Sequence, residues 1–565
     1  MRTARARAIL IVAMLLTGSR TRAQSATAGT PVAATHLAAE SNAGVIADGA
    51  GGAYVGFKIA YRGPSLPAEI AVAHVLASAG RDPDWDALPM VPAGSLAQSN
   101  PPGPSRVLRA PAGTVLAFAD FALSTPADIV REVGAHGANL AYPGYQPGQP
   151  YITFTVLPRS DGGALILSKA LGSVNCMATV VTPSGTGSEV VTPLALGNGT
   201  YATVGGDRMA AAPSGTDGAI AAILLPQINN TLTGTDIVAV RVDGTGHPLW
   251  VPAHRMLSGA VRDQMDPVAV SDGADGAIIA WKDLRTTATD ADIYATRLLA
   301  SGDVATGWTA GGKAIVAATR AQYAPAMASD DAGGAWIAWV DERDTLSGPN
   351  IFFTHMLAGG TPAAGFATGG RAMCAATGIQ SEVQIVRDGS GGLFAVWLDA
   401  RDGETDLYAQ HLDTSGNPTA GWAANGVAVC THPTAQSGPA LGAVSNGRAI
   451  AAWSDPRTGT AVVYAAALDA TKGVLGVPAP VTARLALAPR TNPGRGAVDV
   501  RIDAAGPGEV RVQVFDVSGR LRAERSIFGP TQAFAVRFER LEPGVYLVSA
   551  LQDGARSLAR VAVLR

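Results

Sequence analysis

The sequence predicts an all-β protein, a β-propeller followed by a small β-sandwich, and three observations support this prediction. A unit that ends in Trp-x-Asp-x-Arg occurs four times between residues 270 and 460, with its tryptophans 58, 58 and 56 residues apart. The chain of 565 residues is 47% hydrophobic and carries 67 glycines and 36 prolines, as expected for many short strands joined by turns. This repeat stops after residue 480, and a stretch with a different pattern follows.

Each repeat unit consists of an apolar strand that ends in tryptophan, a polar turn and a second apolar strand. We predict the second strands at residues 292–298, 350–357, 406–412 and 462–468. A unit of this length holds about four short strands, which is one propeller blade. The residues that recur in the units are Trp281, Asp283, Arg285, Trp339, Asp341, Arg343, Trp397, Asp399, Arg401, Trp453, Asp455 and Arg457.

Weaker copies precede these four units at a similar spacing, around Phe57, Phe118, Leu167 and Leu225. Together they predict eight blades. Seven blades is the alternative, because the units near Phe118 and Leu167 diverge most. A closed ring is favoured over an open solenoid or a string of sandwiches, since closure protects the strand edges that an open array leaves exposed.

The recurring residues are interpreted as structural. A large aromatic side chain at a fixed place in each sheet suits packing between blades. The aspartate suits a turn in which it accepts backbone N–H bonds, and the arginine suits pairing or stacking. A ring of these groups that grips a sugar or an anion is the alternative. Because a catalytic site needs unlike residues from different blades, no catalytic residue is predicted, and an enzyme is less favoured than a binding protein.

Acidic, glycine-rich turns begin at Asp48, Asp272, Asp330 and Asp388. Their oxygens could bind calcium, but they lack the alternating carboxylates and the distal glutamate of a calcium loop. Hairpin turns that need positive φ explain the glycines without a metal. The sequence shows no zinc-ligand spacing, nucleophile elbow or phosphate-binding loop. We therefore predict no cofactor, with calcium as the alternative.

The N-terminus reads as a signal peptide over residues 1–23. Arg2, Arg5 and Arg7 precede a short apolar segment, and Ala23 is a plausible cleavage position. No later apolar run is long enough for a membrane helix. The net charge is −3, without a basic cluster after the first 25 residues, which argues against a nucleic-acid partner. The domains are then a propeller at 24–480 and a tail at 481–565.

The three cysteines, Cys176, Cys374 and Cys430, cannot form a disulfide framework. Cys374 and Cys430 lie at matching points of neighbouring units. Equivalent positions in adjacent blades are usually too far apart to bridge, so we predict buried thiols.

Six or seven short strands are predicted in the tail, with candidates at residues 498–502, 509–516, 521–527, 533–538, 544–551 and 558–564. Short strands with turns between them make a small β-sandwich. Three motifs occur there in order: Asn492-Pro493, then residues 512–520 with Asp516, Gly519 and Arg520, then residues 541–548 with Pro543, Gly544 and Tyr546.

In these motifs the tail resembles the C-terminal sorting domain of type IX secretion substrates. It is equally similar to the immunoglobulin-like domain of the flagellar hook-capping protein. The resemblance covers about 80 residues and implies turn and core roles for the matched positions. It also implies an immunoglobulin-like fold, export to the cell surface and the outer-membrane secretion machinery as a partner.

The sequence favours a secreted or cell-surface scaffold whose propeller binds an extracellular ligand, a glycan, peptide or protein. The alternatives are a hydrolase or lyase that acts on extracellular polysaccharide, and a structural component of the envelope. Irregular loops on a regular scaffold are common binding surfaces, so the stretch from residue 77 to 160 is either a ligand-binding region or an eroded blade.

Overall fold

The structure of the protein is a computed structural model. It describes residues 30–31, 38–61, 69–78, 82, 91–92, 106–109, 115–118, 131–133, 151–170, 176–181, 187–192, 209–226, 234–445, 447–457, 460–475, 486–490, 494–503, 509–527, 534–552 and 555–564. In these residues the secondary structure consists of 40 β-strands without helices, so no described segment is a helix that could cross a membrane. The predicted signal peptide lies outside the described residues.

Eight of the ten sheets are successive units of the kind expected for propeller blades. We number the blades 1 to 8 in chain order. The first described strand of the chain, β1 (Thr30–Pro31), belongs to the last of them, blade 8. Blades 1 to 4 contain β2 (Ala38–Ala47), β3 (Ala53–Tyr61), β4 (Glu69–Val75) and β5 (Val91–Pro92); β6 (Arg106–Arg109), β7 (Val115–Phe118) and β8 (Arg131–Val133); β9 (Tyr151–Pro158), β10 (Ala164–Ala170), β11 (Cys176–Val181) and β12 (Gly187–Thr192); and β13 (Met209–Ser214), β14 (Gly218–Pro226), β15 (Thr235–Val242) and β16 (His254–Ser258).

The four blades with the strong sequence repeat follow. They contain β17 (Gln264–Ser271), β18 (Ala277–Asp283), β19 (Asp292–Leu298) and β20 (Lys313–Val316); β21 (Gln322–Ser329), β22 (Ala335–Asp341), β23 (Asn350–Met356) and β24 (Arg371–Cys374); β25 (Gln380–Arg387), β26 (Leu393–Asp399), β27 (Asp406–Leu412) and β28 (Val427–Cys430); and β29 (Ser437–Ser445), β30 (Arg448–Asp455), β31 (Val462–Asp469) and β32 (Gly473–Leu475). Each predicted second strand of a unit lies within one residue of its observed bounds.

The ring closes with eight blades, which confirms the larger predicted count. The first strand of each blade contacts the first strand of the next, and β2 of blade 1 contacts β29 of blade 8. In addition, β1 pairs antiparallel with β31, so the two ends of the propeller share one sheet. At this seam a Cβ on Gly442 would lie 2.7 Å from Cγ1 of Val45, so the position requires glycine.

The repeated tryptophans are fully buried and lie between blades. Trp281 belongs to the same apolar cluster as Trp250 of blade 4, and Trp397 to the same cluster as Ala338 of blade 6. A glycine of the same blade covers each ring: a Cβ on Gly426 would lie 2.3 Å from the Trp397 ring, and Gly312 and Gly370 are equally close to Trp281 and Trp339. The indole therefore fills the space up to the backbone of the next connection.

A second set of tryptophans links neighbouring blades by hydrogen bonds. The indole nitrogens of Trp250 and Trp308 each donate to a carbonyl of the following blade, at Ala300 and Ala358, over 2.9 Å. Trp422 donates in the same way to Asp469 over 3.3 Å. These bonds lie between equivalent turns of successive blades and hold the ring together.

The tail forms two sheets around one apolar core that includes Val498, Val512, Phe538 and Val548. The three-stranded sheet contains β33, β35 and β38, and the five-stranded sheet contains β34, β36, β37, β39 and β40. Their bounds are β33 (Ala486–Pro489), β34 (Gly494–Arg495), β35 (Ala497–Asp503), β36 (Val510–Asp516), β37 (Leu521–Ile527), β38 (Phe534–Glu539), β39 (Gly544–Gln552) and β40 (Ala555–Leu564).

Candidate functional site

The propeller has two faces that carry different connections, because successive strands in each blade are antiparallel. The lower face carries the turns between the first and second strands, such as residues 272–276. The upper face carries the turns between the second and third strands and the connections between blades. In blades 5 to 8 the described upper-face segments are 284–291, 342–349, 400–405, 456–457, 460–461, 259–263, 317–321, 375–379 and 431–436.

The Trp-x-Asp-x-Arg motif lies where the second strand meets the upper face, and its aspartate is fully buried. In blade 7 the indole nitrogen of Trp397 donates to Oδ2 of Asp399 over 2.9 Å, and Arg401 donates Nε to Oδ1 and Nη2 to Oδ2 of Asp399. The Arg401 guanidinium also lies 3.9 Å above the Tyr408 ring. Blades 5 and 6 repeat this arrangement with Asp283 and Asp341.

The Asp399 carboxylate is saturated by donors of its own blade and by the thiol of Cys374 from blade 6, which lies 3.7 Å from Oδ2. Burial alone would raise the pKa of Asp399, but the hydrogen bonds from Arg401 and Trp397 outweigh burial and hold it below its ordinary value. The motif residues of blades 5 to 7 thus point into the sheet and offer no carboxylate to a ligand.

The thiols beside the motif are buried and free, as predicted. Nη2 of Arg401 lies 3.2 Å from Sγ of Cys374, and Nη2 of Arg457 lies 3.0 Å from Sγ of Cys430. Burial raises the pKa of both thiols to about 11. Because Ser258 and Val316 occupy the equivalent place in blades 4 and 5, this is a packing position rather than a reactive one.

The acidic turns of the lower face are self-contained. In Asp388, Oδ1 accepts the backbone N–H groups of Ser390 and Gly392, and Oδ2 lies 2.9 Å from Nε2 of His411. Asp48, Asp272 and Asp330 repeat this pattern with His74, Arg297 and His355 as the side-chain partner. Sequence reasoning missed these partners on the third strand. Within the described residues, no three His, Cys, Asp or Glu side chains converge as a metal site.

The irregular stretch at 77–160 is represented by a few described residues. Asp82 accepts a hydrogen bond of 2.7 Å from Nδ1 of His74, whose Nε2 lies 2.8 Å from Oδ2 of Asp48. Strands β6, β7 and β8 lie in this stretch and form the sheet of blade 2. Apart from these strands and β5, the residues between 83 and 150 lie outside the described part of the chain.

Unlike residues occupy one repeated position near the upper face, on the first strands of blades 5 to 8. In these blades a buried glutamine lies at or directly before the start of the first strand, as Gln264, Gln322, Gln380 and Gln436. Two residues later the backbone is left-handed, with φ of 51°, 52°, 51° and 58° at Asp266, Ala324, Glu382 and Gly438. The strand register shifts at the same point.

Left-handed φ is unfavourable for alanine and glutamate, and such bulges are common beside binding sites. Sequence reasoning missed this position, although the glutamines recur with the same spacing as the tryptophans. It differs from the buried motif because its side chains change from blade to blade.

The predicted motif of the tail forms a turn and a core contact. Oδ1 of Asp516 accepts the N–H groups of Ser518 and Arg520, and Gly519 has φ of 81°. The hydroxyl and backbone N–H of Ser518, with Arg522, hold the pKa of Asp516 below its ordinary value.

The second half of that motif places Tyr546 in the core of the tail. Its hydroxyl donates to the Glu542 carbonyl over 2.8 Å, across the turn that contains Pro543 and Gly544. A groove of about 420 Å³ lies between the Asp516 turn and the strand that carries Tyr546. Its lining includes Asp516, Gly519, Tyr546 and Arg560.

Comparison with models of protein families and with curated proteins gave no match. Solved structures gave remote likenesses. One is a protein of unknown function from Dyadobacter fermentans, 10% identical, with 78% of this chain and 96% of that chain covered and a TM-score of 0.36. Another is an α-L-arabinanase from Penicillium chrysogenum, 13% identical, with 57% and 95% covered and a TM-score of 0.33.

A third is the Hadza microbial sialidase Hz136, 10% identical, with 77% of this chain and 68% of that chain covered and a TM-score of 0.33. Likenesses at this level carry no information about activity. The assignment of a β-propeller rests on the eight sheets of this chain and their closure into a ring.

Proposed function

We propose that the protein is a secreted or cell-surface scaffold whose upper propeller face binds an extracellular glycan. The supporting observation is the set of unlike residues at the left-handed positions of the first strands, Asp266, Ala324, Glu382 and Gly438. Carboxylates and strained backbone at one end of a ring suit a ligand rich in hydroxyl groups.

The test is a glycan array probed with the propeller and tail as one chain. Glu382→Ala and Asp266→Ala are each expected to lower the affinity for a retained glycan about tenfold, since each removes a charged hydrogen-bond acceptor. The matched control is Asp331→Ala on the lower face, where the residue pairs with Arg387. If that control loses as much affinity as the upper-face variants, the upper face is not the binding site.

A polysaccharide hydrolase or lyase is the second candidate, because two of the four left-handed positions carry an acid. Glycoside hydrolysis uses two carboxylates that face the scissile bond. Incubation of a retained polysaccharide with the wild type and with Glu382→Gln, followed by assay of reducing ends, separates the two functions. Release by the wild type that the variant lacks would favour the enzyme.

For the tail, we propose the role that its resemblance implies, which is export through outer-membrane secretion machinery. The turn at Asp516 and the groove beside Tyr546 support a compact recognition surface. Replacement of both Asp516 and Arg520 by alanine is expected to reduce the amount of protein at the cell surface. An unchanged surface level, with the tail folded, would contradict the proposal.

A further inference from the structure

Blade 8 departs from blades 5 to 7 at the connection that enters it on the upper face. In those blades the residue after the motif aspartate donates its N–H to this connection: Leu284 to Asp263, Glu342 to Ala321 and Ala400 to Ile379, over 2.9 to 3.0 Å. The equivalent residue in blade 8 is Pro456, which has no N–H. The connection at 431–436 is therefore not tied to the sheet in this way.

The untied connection adopts a different backbone and a different partner. Arg262, Arg320 and Gly378 have φ of 67°, 69° and 101°, whereas the equivalent Thr434 does not have positive φ. Instead, the Thr434 hydroxyl donates to Oδ1 of Asp455 over 2.8 Å. Nε and Nη2 of Arg457 both donate to the other oxygen of this carboxylate, Oδ2.

This exchange leaves a buried donor without a partner. The Trp453 indole nitrogen is fully buried and makes no hydrogen bond, whereas Trp281, Trp339 and Trp397 each donate to their aspartate. An unpaired buried donor is unfavourable, because its hydrogen bond to water is lost on folding and is not replaced. A local rule that is broken in one blade of a regular repeat is expected at a functional site.

The rebuilt connection holds His432, where blades 5 to 7 have Ala260, Ala318 and Ala376. Nδ1 of His432 lies 2.9 Å from the Thr434 hydroxyl oxygen. Burial would raise the pKa of Asp455, but its bonds with Arg457 and Thr434 hold it below the ordinary value, so Asp455 is a carboxylate.

The Thr434 proton is thus committed to Asp455, and the hydroxyl oxygen can only accept from His432. Nδ1 of His432 must carry the proton, and Nε2 keeps its lone pair. Burial and the Arg457 charge lower the pKa of His432, which keeps the ring neutral near pH 7.

We propose that His432 is a ligand-contacting residue of the upper face, whose Nε2 accepts a hydrogen bond from a hydroxyl group of the bound glycan. This inference rests on the proposed glycan-binding function and names a residue and a role for it. Thr434 and Pro456 act as positioning residues: the first fixes the tautomer, and the second releases the connection that carries both side chains.

The first measurement is the tautomer of His432, from its ring ¹⁵N chemical shifts, assigned with the His432→Ala variant. The wild type is expected to carry the proton on Nδ1. In Thr434→Val the acceptor is lost, so the proton is expected to move toward Nε2, the usual site in water. A wild-type ring with the proton on Nε2 would overturn the inference, whatever the ligand.

The second measurement is the affinity, by calorimetry, for the glycan that the wild type retains most tightly on the array. His432→Ala, which copies blades 5 to 7, is expected to bind at least tenfold more weakly. His247→Ala is the matched control, because Nδ1 of His247 lies 2.8 Å from a Thr245 hydroxyl that donates to Asp243, on the lower face.

The outcomes separate the inference from the function on which it rests. Equal affinity of His432→Ala and the wild type would overturn the role of His432 and leave glycan binding intact. An equal loss in His247→Ala would also overturn it. A wild type that retains no glycan would overturn both proposals.

Discussion

Blade 8 and blades 5 to 7 share one motif and use it differently. In blades 5 to 7 the aspartate binds its tryptophan, its arginine and the backbone. In blade 8 the same aspartate binds a threonine of the incoming connection, and the tryptophan loses its acceptor. The comparison shows that a repeat that stabilises the ring can, at one position, be used to hold a loop.

Removal of a repeated tryptophan ring should have the largest effect on stability. All four blades, 5 to 8, share the packing of this ring between blades. Trp397→Ala and Trp453→Ala are each expected to lower the free energy of unfolding by about 3 to 5 kcal/mol, because each opens a cavity between blades. Denaturant unfolding of both variants measures this. A small loss for Trp453→Ala alone would mean that blade 8 also packs differently, and the comparison would fail.

Replacement of tryptophan by phenylalanine isolates the hydrogen bond that distinguishes the blades. Trp397→Phe removes the donor to a buried carboxylate, while Trp453→Phe removes a donor that has no partner. Both lose similar packing, so the first is expected to cost about 1.5 to 3 kcal/mol more than the second. Equal costs in denaturant unfolding would contradict the orphaned indole of Trp453.

The seam between blade 8 and blade 1 gives a further contrast. Gly442 lies against Val45 with no space for a side chain, whereas the equivalent residues of blades 5 and 7 are Val270 and Val386. Gly442→Val is expected to lower the free energy of unfolding by about 1 to 3 kcal/mol through overpacking. The control Val386→Gly changes the equivalent position of blade 7 and should leave the seam intact. A Gly442→Val variant with an unchanged free energy of unfolding would argue against close contact of the ring ends.

The smallest effect concerns a buried acid at the start of the third strand. Burial, and then the nearby Asp283 and Asp290 charges, raise the pKa of Asp292, although Thr286 and Arg285 act in the opposite sense. In a protein where the folded pKa is the higher one, stability is lost as the pH rises from the unfolded value through the folded one. Blade 6 has Asn350 at this place.

Asp292→Asn is therefore expected to raise the melting temperature at neutral pH and to reduce its fall between acidic and neutral pH. Thermal unfolding at several pH values measures this. A melting temperature that drops at pH 7 would show that the Asp292 charge is stabilising, against the raised pKa. Asn350→Asp in blade 6 should give the reverse change.

The sequence predicted the repeating elements of this fold well because they follow from local patterns. Alternating apolar residues, turn glycines and the regular spacing of the repeated tryptophans predict the strands of blades 5 to 8. The count of eight also needed the weaker copies around Phe57, Phe118, Leu167 and Leu225. Closure by β1 was not predicted, because Thr30 and Ala465 are far apart in sequence and only two residues pair.

The candidate site was less predictable, for physical reasons. The left-handed residues Ala324 and Glu382 carry no side-chain signal for that conformation, and they lie on strands rather than in loops. His432 looks like an isolated histidine until Pro456 is compared with Leu284, Glu342 and Ala400. The relevant signal is a departure from the repeat, which is visible only after the repeat is aligned on its structure.

The most direct test of the contrast between the blades is the indole N–H region of the ¹H–¹⁵N spectrum. In the wild type, the Trp453 proton should resonate upfield of those of Trp281, Trp339 and Trp397, which are hydrogen-bonded. In the double variant Thr434→Gly and Pro456→Ala, which copies blade 7, the Trp453 signal should move downfield to join them. Four similar shifts in the wild type would contradict the account of blade 8.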